Sequence, residues 1–161
     1  MPDCPTDRYM QYHSQTPVEY GTVPGAWCIV QEICPFCNPA AGEIVAKNEL
    51  CYALWDFHPV SRGHLLAIPF RHTLDFFSLT PEEGQALLAL IGECKDIIDE
   101  KFSPDSYNIG FNVGVAAGQT VMHCHCHVIP RYAGDVPNPR GGVRGVLPKK
   151  KPMGQCGAGH T

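Results

Sequence analysis

The run His123-Cys124-His125-Cys126-His127-Val128-Ile129-Pro130-Arg131 repeats with a period of two. That period belongs to an extended strand, in which successive side chains face opposite sides of a sheet. Read as a strand over residues 121–129, it sets three imidazoles on one face and Cys124, Cys126 and Val128 on the other. The run is internal and flanked by apolar residues, so a surface accident explains it poorly. Imidazoles on a buried strand face need partners for their ring nitrogens. Alternating histidines serve acid–base or nucleophilic chemistry, and they also make a good chelating pair. The run alone does not separate catalysis from metal binding.

Immediately upstream lies Asn112-Val113-Gly114-Val115-Ala116-Ala117-Gly118-Gln119-Thr120. Glycines in the loop before a strand let backbone N–H groups approach an anion closely. Gln119 and Thr120 add uncharged side-chain donors. An ordinary turn has the same composition, but one placed just before three aligned histidines reads as a phosphate cradle.

Further out, residues 107–113 read as a strand and residues 81–102 as the one long helix. Thr80 is the N-cap, Pro81 occupies the first helical position, and Glu83 completes a capping box. Leu87, Leu90, Ile91, Cys94, Ile97 and Ile98 recur at helical spacing and give one apolar face. Ser103-Pro104 ends the helix. Earlier in the chain, residues 64–69 form a short apolar strand ended by proline, and residues 43–46 and 50–56 form a hairpin turning near Lys47-Asn48. These elements predict an α+β fold, a five-stranded antiparallel sheet with one main helix packed on it. Residues 1–27, with Pro2, Pro5, Pro17 and Pro24 and no periodicity, read as an N-terminal arm. Residues 28–148 are the folded domain, and residues 149–161 a flexible tail.

Composition narrows the function class. The chain has 161 residues, 44% of them hydrophobic and 17% charged, which fits one globular domain. The net charge of −4 and the confinement of the dense basic residues to 149–151 exclude a nucleic-acid-binding stripe. No apolar run approaches the roughly 20 residues that cross a bilayer. The N-terminus has no secretory pattern, so the expected location is cytoplasmic. Of nine cysteines, only Cys34 and Cys37 have metal-type spacing. Cys28, Cys51 and Cys94 sit among apolar residues and read as small buried hydrophobes, which favours a reducing compartment.

Residues 112–131, with Gly118-Gln119-Thr120-Val121-Met122-His123-Cys124-His125-Cys126-His127-Val128-Ile129-Pro130-Arg131, resemble the signature of the histidine triad (HIT) family of nucleotide hydrolases and transferases. Cysteine replaces the larger apolar residues usual between the histidines. The resemblance runs back through Asp56, Gly63-His64-Leu65-Leu66-Ala67-Ile68-Pro69 and Arg71-His72. It runs forward through residues 134–144, and covers roughly residues 33–148.

The resemblance implies roles. His125 would attack the α-phosphate of a nucleotide, giving a nucleotidyl-histidine. His127 would donate to a phosphate oxygen, and His64 would be the fourth histidine of the site, although a core histidine is the simpler reading from the residue alone. Gly118, Gln119 and Thr120 would contact phosphate, Asn112 would support the loop, and Asp56 would accept from ribose hydroxyls or else merely turn the chain before Pro59. Cys34-x-x-Cys37 alone is compatible with a redox pair or a turn. The resemblance implies one structural zinc per chain held by Cys34, Cys37, His72 and His123. It also implies a homodimer, to whose interface the helix would contribute.

The expected function is therefore cleavage of dinucleoside polyphosphates or nucleoside phosphoramidates at the α-phosphate, with phosphorolysis as the alternative to hydrolysis. Two other readings compete. A metal-dependent hydrolase would gather His123, His125 and His127 around one ion. A zinc-stabilised module would bind nucleotide without turnover. A covalent adduct on His125 separates all three.

Overall fold

The computed structural model describes residues 34–147. The expected arm at 1–27, the tail at 149–161 and Cys28 lie outside the described residues. Five strands form one antiparallel sheet: β1 (Ile44–Lys47), β2 (Cys51–Trp55), β3 (Leu65–Pro69), β4 (Ser106–Phe111) and β5 (Cys126–Arg131). Their order is β1-β2-β3-β5-β4. The central β3 is buried along its whole length, as its unbroken apolar sequence requires. The α+β architecture expected from the sequence is the one found.

The helix α1 (Pro81–Phe102) has the expected bounds. Thr80 Oγ1 accepts from Glu83 N, and Glu83 returns the bond to Thr80 N. At the other end, Ser103 adopts the left-handed conformation that stops the helix before Pro104. Leu87, Leu90, Ile91, Cys94 and Ile98 pack on Cys51, Ala53, Leu65, Ala67, Cys126 and Val128. The apolar face of the helix thus covers its own sheet. Packing against the sheet buries this face, so a contribution of the helix to a two-fold interface would come from its other side. Gly63, at φ +86°, turns the chain into β3 against the helix end, where an added Cβ would lie 2.7 Å from Phe102 Cδ2.

The opposite sheet face carries Tyr52, Leu54, Leu66 and Ile68, with Phe36 packed on them. His127 pairs with Leu66 and faces this side, away from the helix. The strand expected over residues 121–129 begins only at Cys126, and the strand expected over 107–113 stops at Phe111. Residues 112–125 are therefore one long connection. It is laced to the segment after β3, where Cys124 N donates to Thr73 O and Gln119 Nε2 to Leu74 O. Backbone groups that bond to this segment are not available to a sheet ladder.

Arg71, just past β3, forks onto the buried carboxylate of Glu83 through Nε and Nη2, both at 2.7 Å. These bonds hold the Glu83 carboxyl below its ordinary value of 4.5, with Arg71 the leading cause. A carboxylate with a depressed folded pKa stabilises above its unfolded pKa and loses that contribution as the pH falls through the folded value. Glu83→Gln should therefore cost about 1–2 kcal/mol at pH 7, allowing for the half-exposed Arg71. In urea titrations the gap to the parent should close as the pH drops below 4.5. A gap independent of pH would show that the charge plays no part.

Candidate active site and metal centre

Four imidazoles form a row on the face away from the helix. His123, His125 and His127 come from the β4–β5 connection and the start of β5, and His64 immediately precedes β3. His125 and His127 have ring centroids 5.1 Å apart, as do His127 and His64. His64 Nε2 lies 3.0 Å from His127 Nδ1. His125 Nδ1 lies 2.7 Å from the carbonyl oxygen of His123. Only a protonated Nδ1 can make that bond, so the neutral ring carries its lone pair on Nε2. Burial pushes His64 and His125 below their ordinary value, and burial with the neighbouring His125 and His64 pushes His127 down to about 4. Burial thus favours the neutral form of these imidazoles. A buried, oriented Nε2 lone pair makes a nucleophile or a ligand.

Asp56 lies beside this row. Its Oδ1 accepts from His58 N at 2.8 Å, and its Oδ2 is 3.3 Å from His64 Nδ1 and 3.8 Å from His127 Nδ1. It both turns the chain and faces the histidines. Asn112 Nδ2 is 3.5 Å from His127 Nε2, so Asn112 lies against the histidine row. Gly118 takes the left-handed conformation at φ +89°, closing a short helical turn at Val115–Ala117. Thr120 is exposed. Gln119 is buried, with Oε1 accepting from Gly114 N and Nε2 donating to the carbonyls of Leu74 and Val121. Its amide braces the loop from within instead of standing free as a phosphate donor. The reason is that a buried amide must satisfy its own polar atoms.

The second constellation is Cys34, Cys37, His72 and His123, whose donor atoms all lie within 4.8 Å of one another. Cys34 Sγ is 3.5 Å and Cys37 Sγ 3.7 Å from His123 Nδ1, and Cys37 Sγ is 3.2 Å from His72 Nδ1. A tetrahedral zinc with its usual bond lengths separates sulfur from nitrogen by about 3.6 Å. His123 Nε2 is 2.9 Å from the carbonyl oxygen of Pro69. That bond fixes the tautomer and turns the Nδ1 lone pair toward the cysteines, the support a metal-bound histidine needs. With no counter-charge, burial and then Cys34 hold the Cys37 thiol up at about 12. A dication reverses that balance. The donor set and its spacing fit zinc.

Sequence reasoning missed Phe36 and Tyr52. Phe36, between the two cysteines, sets its ring edge-on to both His123 (6.0 Å) and His125 (5.2 Å). Tyr52 OH donates to Phe36 O at 2.6 Å, pinning the Cys-x-x-Cys turn to the sheet. An aromatic residue inside a Cys-x-x-Cys was the available signal.

Comparison with known proteins agrees with this geometry. The HIT domain family matches residues 39–134. The AP-4-A phosphorylase of Mycobacterium tuberculosis is 33% identical over 102 residues, which is 63% of this chain and 52% of that protein. The asymmetrical bis(5'-nucleosyl)-tetraphosphatase of Schizosaccharomyces pombe is 36% identical over 97 residues, 60% of this chain and 53% of that one. The chain thus spans about half the length of these curated relatives. The solved structure of a zinc-bound histidine triad family protein from Mycobacterium smegmatis superposes with a TM-score of 0.59 at 32% identity, covering 72% of this chain and 91% of that one. The row of histidines on a five-stranded sheet and the match over most of the described residues lead to one conclusion: this chain belongs to the histidine triad, or HIT domain, family.

Proposed function

We propose that the chain is a nucleotidyl hydrolase or transferase that cleaves dinucleoside polyphosphates or nucleoside phosphoramidates at the α-phosphate. The observation that carries this reading is the bond from His125 Nδ1 to the carbonyl of His123. It leaves Nε2 of a buried, neutral imidazole as the attacking atom. In the first step the Nε2 lone pair forms a bond to the α-phosphorus, and the bond from phosphorus to the leaving oxygen or nitrogen breaks with its electron pair. In the second step water or inorganic phosphate forms a new P–O bond and the N–P bond returns its pair to Nε2. His127 and the backbone of residues 114–120 hold phosphate oxygens, which supports the displacement by positioning and charge stabilisation. Asp56 accepts from the ribose hydroxyls, and Gln119 keeps the loop in shape. Cys34, Cys37, His72 and His123 hold a structural zinc. It would supply no chemistry to the reaction beyond fixing the chain on either side of His125.

Phosphorolysis is the second reading, favoured by the name of the Mycobacterium tuberculosis relative. The two differ only in the acceptor. Diadenosine tetraphosphate leaves ATP in the first step under both. Water then gives AMP, and phosphate gives ADP. Incubation of the full chain with diadenosine tetraphosphate and with adenosine phosphoramidate, each with and without inorganic phosphate, separates them by product. We expect AMP without phosphate, and ADP in its presence only if phosphate is the better acceptor. No product from either substrate under any condition sinks the enzyme reading. A homodimer remains part of this proposal. It rests on the exposed edge strand β4 with Ile109 and on exposed Leu88 of α1, and a monomer by light scattering at micromolar concentration counts against it.

A further inference from the structure

Asp56, His64 and His127 place one donor atom each within 4.8 Å of one another, separately from the cysteine cluster. His64 Nε2 and His127 Nδ1 are 3.0 Å apart, and Asp56 Oδ2 is 3.8 Å from His127 Nδ1. The two ring centroids are 5.1 Å apart, close to the 4.9 Å between His72 and His123 in the first cluster. Asp56 Oδ1 accepts from His58 N, which turns Oδ2 onto the imidazoles. The His64 side chain is 2% exposed, against 14% for Asp56 and 21% for His127. The trio is closed beneath and open above.

We infer that Asp56, His64 and His127 form a second cation site, for a borderline divalent transition ion such as zinc or cobalt. Two imidazoles and one carboxylate suit such an ion and leave positions free for water or an anionic ligand. The ion would replace the proton now shared by His64 and His127. A tetrahedral ion separates such donors by about 3.4 Å. Reaching that spacing opens the His64–His127 gap from 3.0 Å, closes the Asp56–His127 gap from 3.8 Å, and shifts Asp56 Oδ2 from its place 3.3 Å from His64 Nδ1 toward the Nε2 side of that ring. Cation binding itself is independent of the function proposed above. Its consequence rests on that function: an ion here takes both the ribose acceptor and a phosphate donor, so cation and nucleotide compete, and the ion inhibits.

The test is titration of the zinc-loaded full chain with cobalt(II), followed by visible absorption and metal content. We expect one further equivalent, without the thiolate charge-transfer band that a cysteine site gives. His64→Gln and Asp56→Asn each remove or neutralise a direct ligand and should weaken that equivalent by more than the roughly 10–100-fold that loss of a mere supporting partner costs, while the zinc at the cysteine cluster stays. AMP affinity should drop in the presence of cobalt. No further equivalent, or one held equally well by both variants, overturns the site. AMP that binds cobalt-free protein and binds no more weakly in cobalt overturns the predicted competition between cation and nucleotide. A chain that binds cobalt in this way but forms no product refutes only the proposed function. One that turns over but binds no second ion refutes only this inference.

Discussion

Under the proposed function, His125→Ala should lower turnover of diadenosine tetraphosphate by at least ~10³-fold and leave AMP binding largely intact, because removing a nucleophile raises the barrier more than it weakens ground-state contacts. His125→Asn should behave alike, since its amide nitrogen has no lone pair suited to attack. His127→Ala removes one donor from a set and should cost less, and Asp56→Ala should mainly weaken nucleoside binding. Rapid quench of the parent under single turnover should trap a nucleoside monophosphate on His125, labile to acid as phosphoramidates are. No adduct, with substantial activity left in His125→Ala, would mean the nucleophile is wrongly assigned. The competing metal-hydrolase reading expects equal losses from His123, His125 and His127. The geometry disfavours it, since His123 Nδ1 faces the cysteines, His125 Nδ1 faces a backbone carbonyl and His127 Nδ1 faces His64. These rings do not converge on one point. His123→Ala should therefore act through stability and metal content, unlike His125→Ala.

What the sequence disclosed here was governed by periodicity and local chemistry. Helix α1 was legible to the residue because its cap, its capping box and its stop signal are all local. The short apolar run before Pro69 read as a strand for the same reason, and the sheet followed from the strand count. Strand β5 starts five residues later than the alternation predicts, since alternation also persists where backbone bonds go elsewhere: Cys124 N is taken by Thr73 O. Tertiary partners were invisible to local reading. Burial assigns both ends of the Gln119 amide, which its sequence position alone does not, and nothing local to Asp56 tells that its carboxylate, besides turning the chain, faces two histidines. The roles given to the histidines came from resemblance. The row that brings His64 beside His127 comes from the pairing of β3 with β5.

Cys34→Ser or Cys37→Ser should lower the zinc content from one per chain to a small fraction and drop the melting temperature by ~10 °C, equivalent to several kcal/mol for a domain of this size. Structural zinc contributes folding free energy outright because the unfolded chain has no preformed site. Here the donors come from three separated segments: the turn at 34–37, His72 three residues past β3, and the connection into β5. Losing one thiolate frees all three from each other. The sheet and helix keep their own core, so the variant should remain folded at low temperature. Activity should fall even there, because Phe36 packs on His125 and its place depends on the cysteine turn held by Tyr52. Cys94→Ala is the control. Its thiol is buried in the helix–sheet core, away from the cluster, so it should cost stability through a cavity and keep the zinc. Metal analysis and thermal melts of the three variants, with chelator-treated parent alongside, measure both effects. A parent that melts at the same temperature with and without metal would refute the structural role of the cluster, whatever its cysteine variants do to activity.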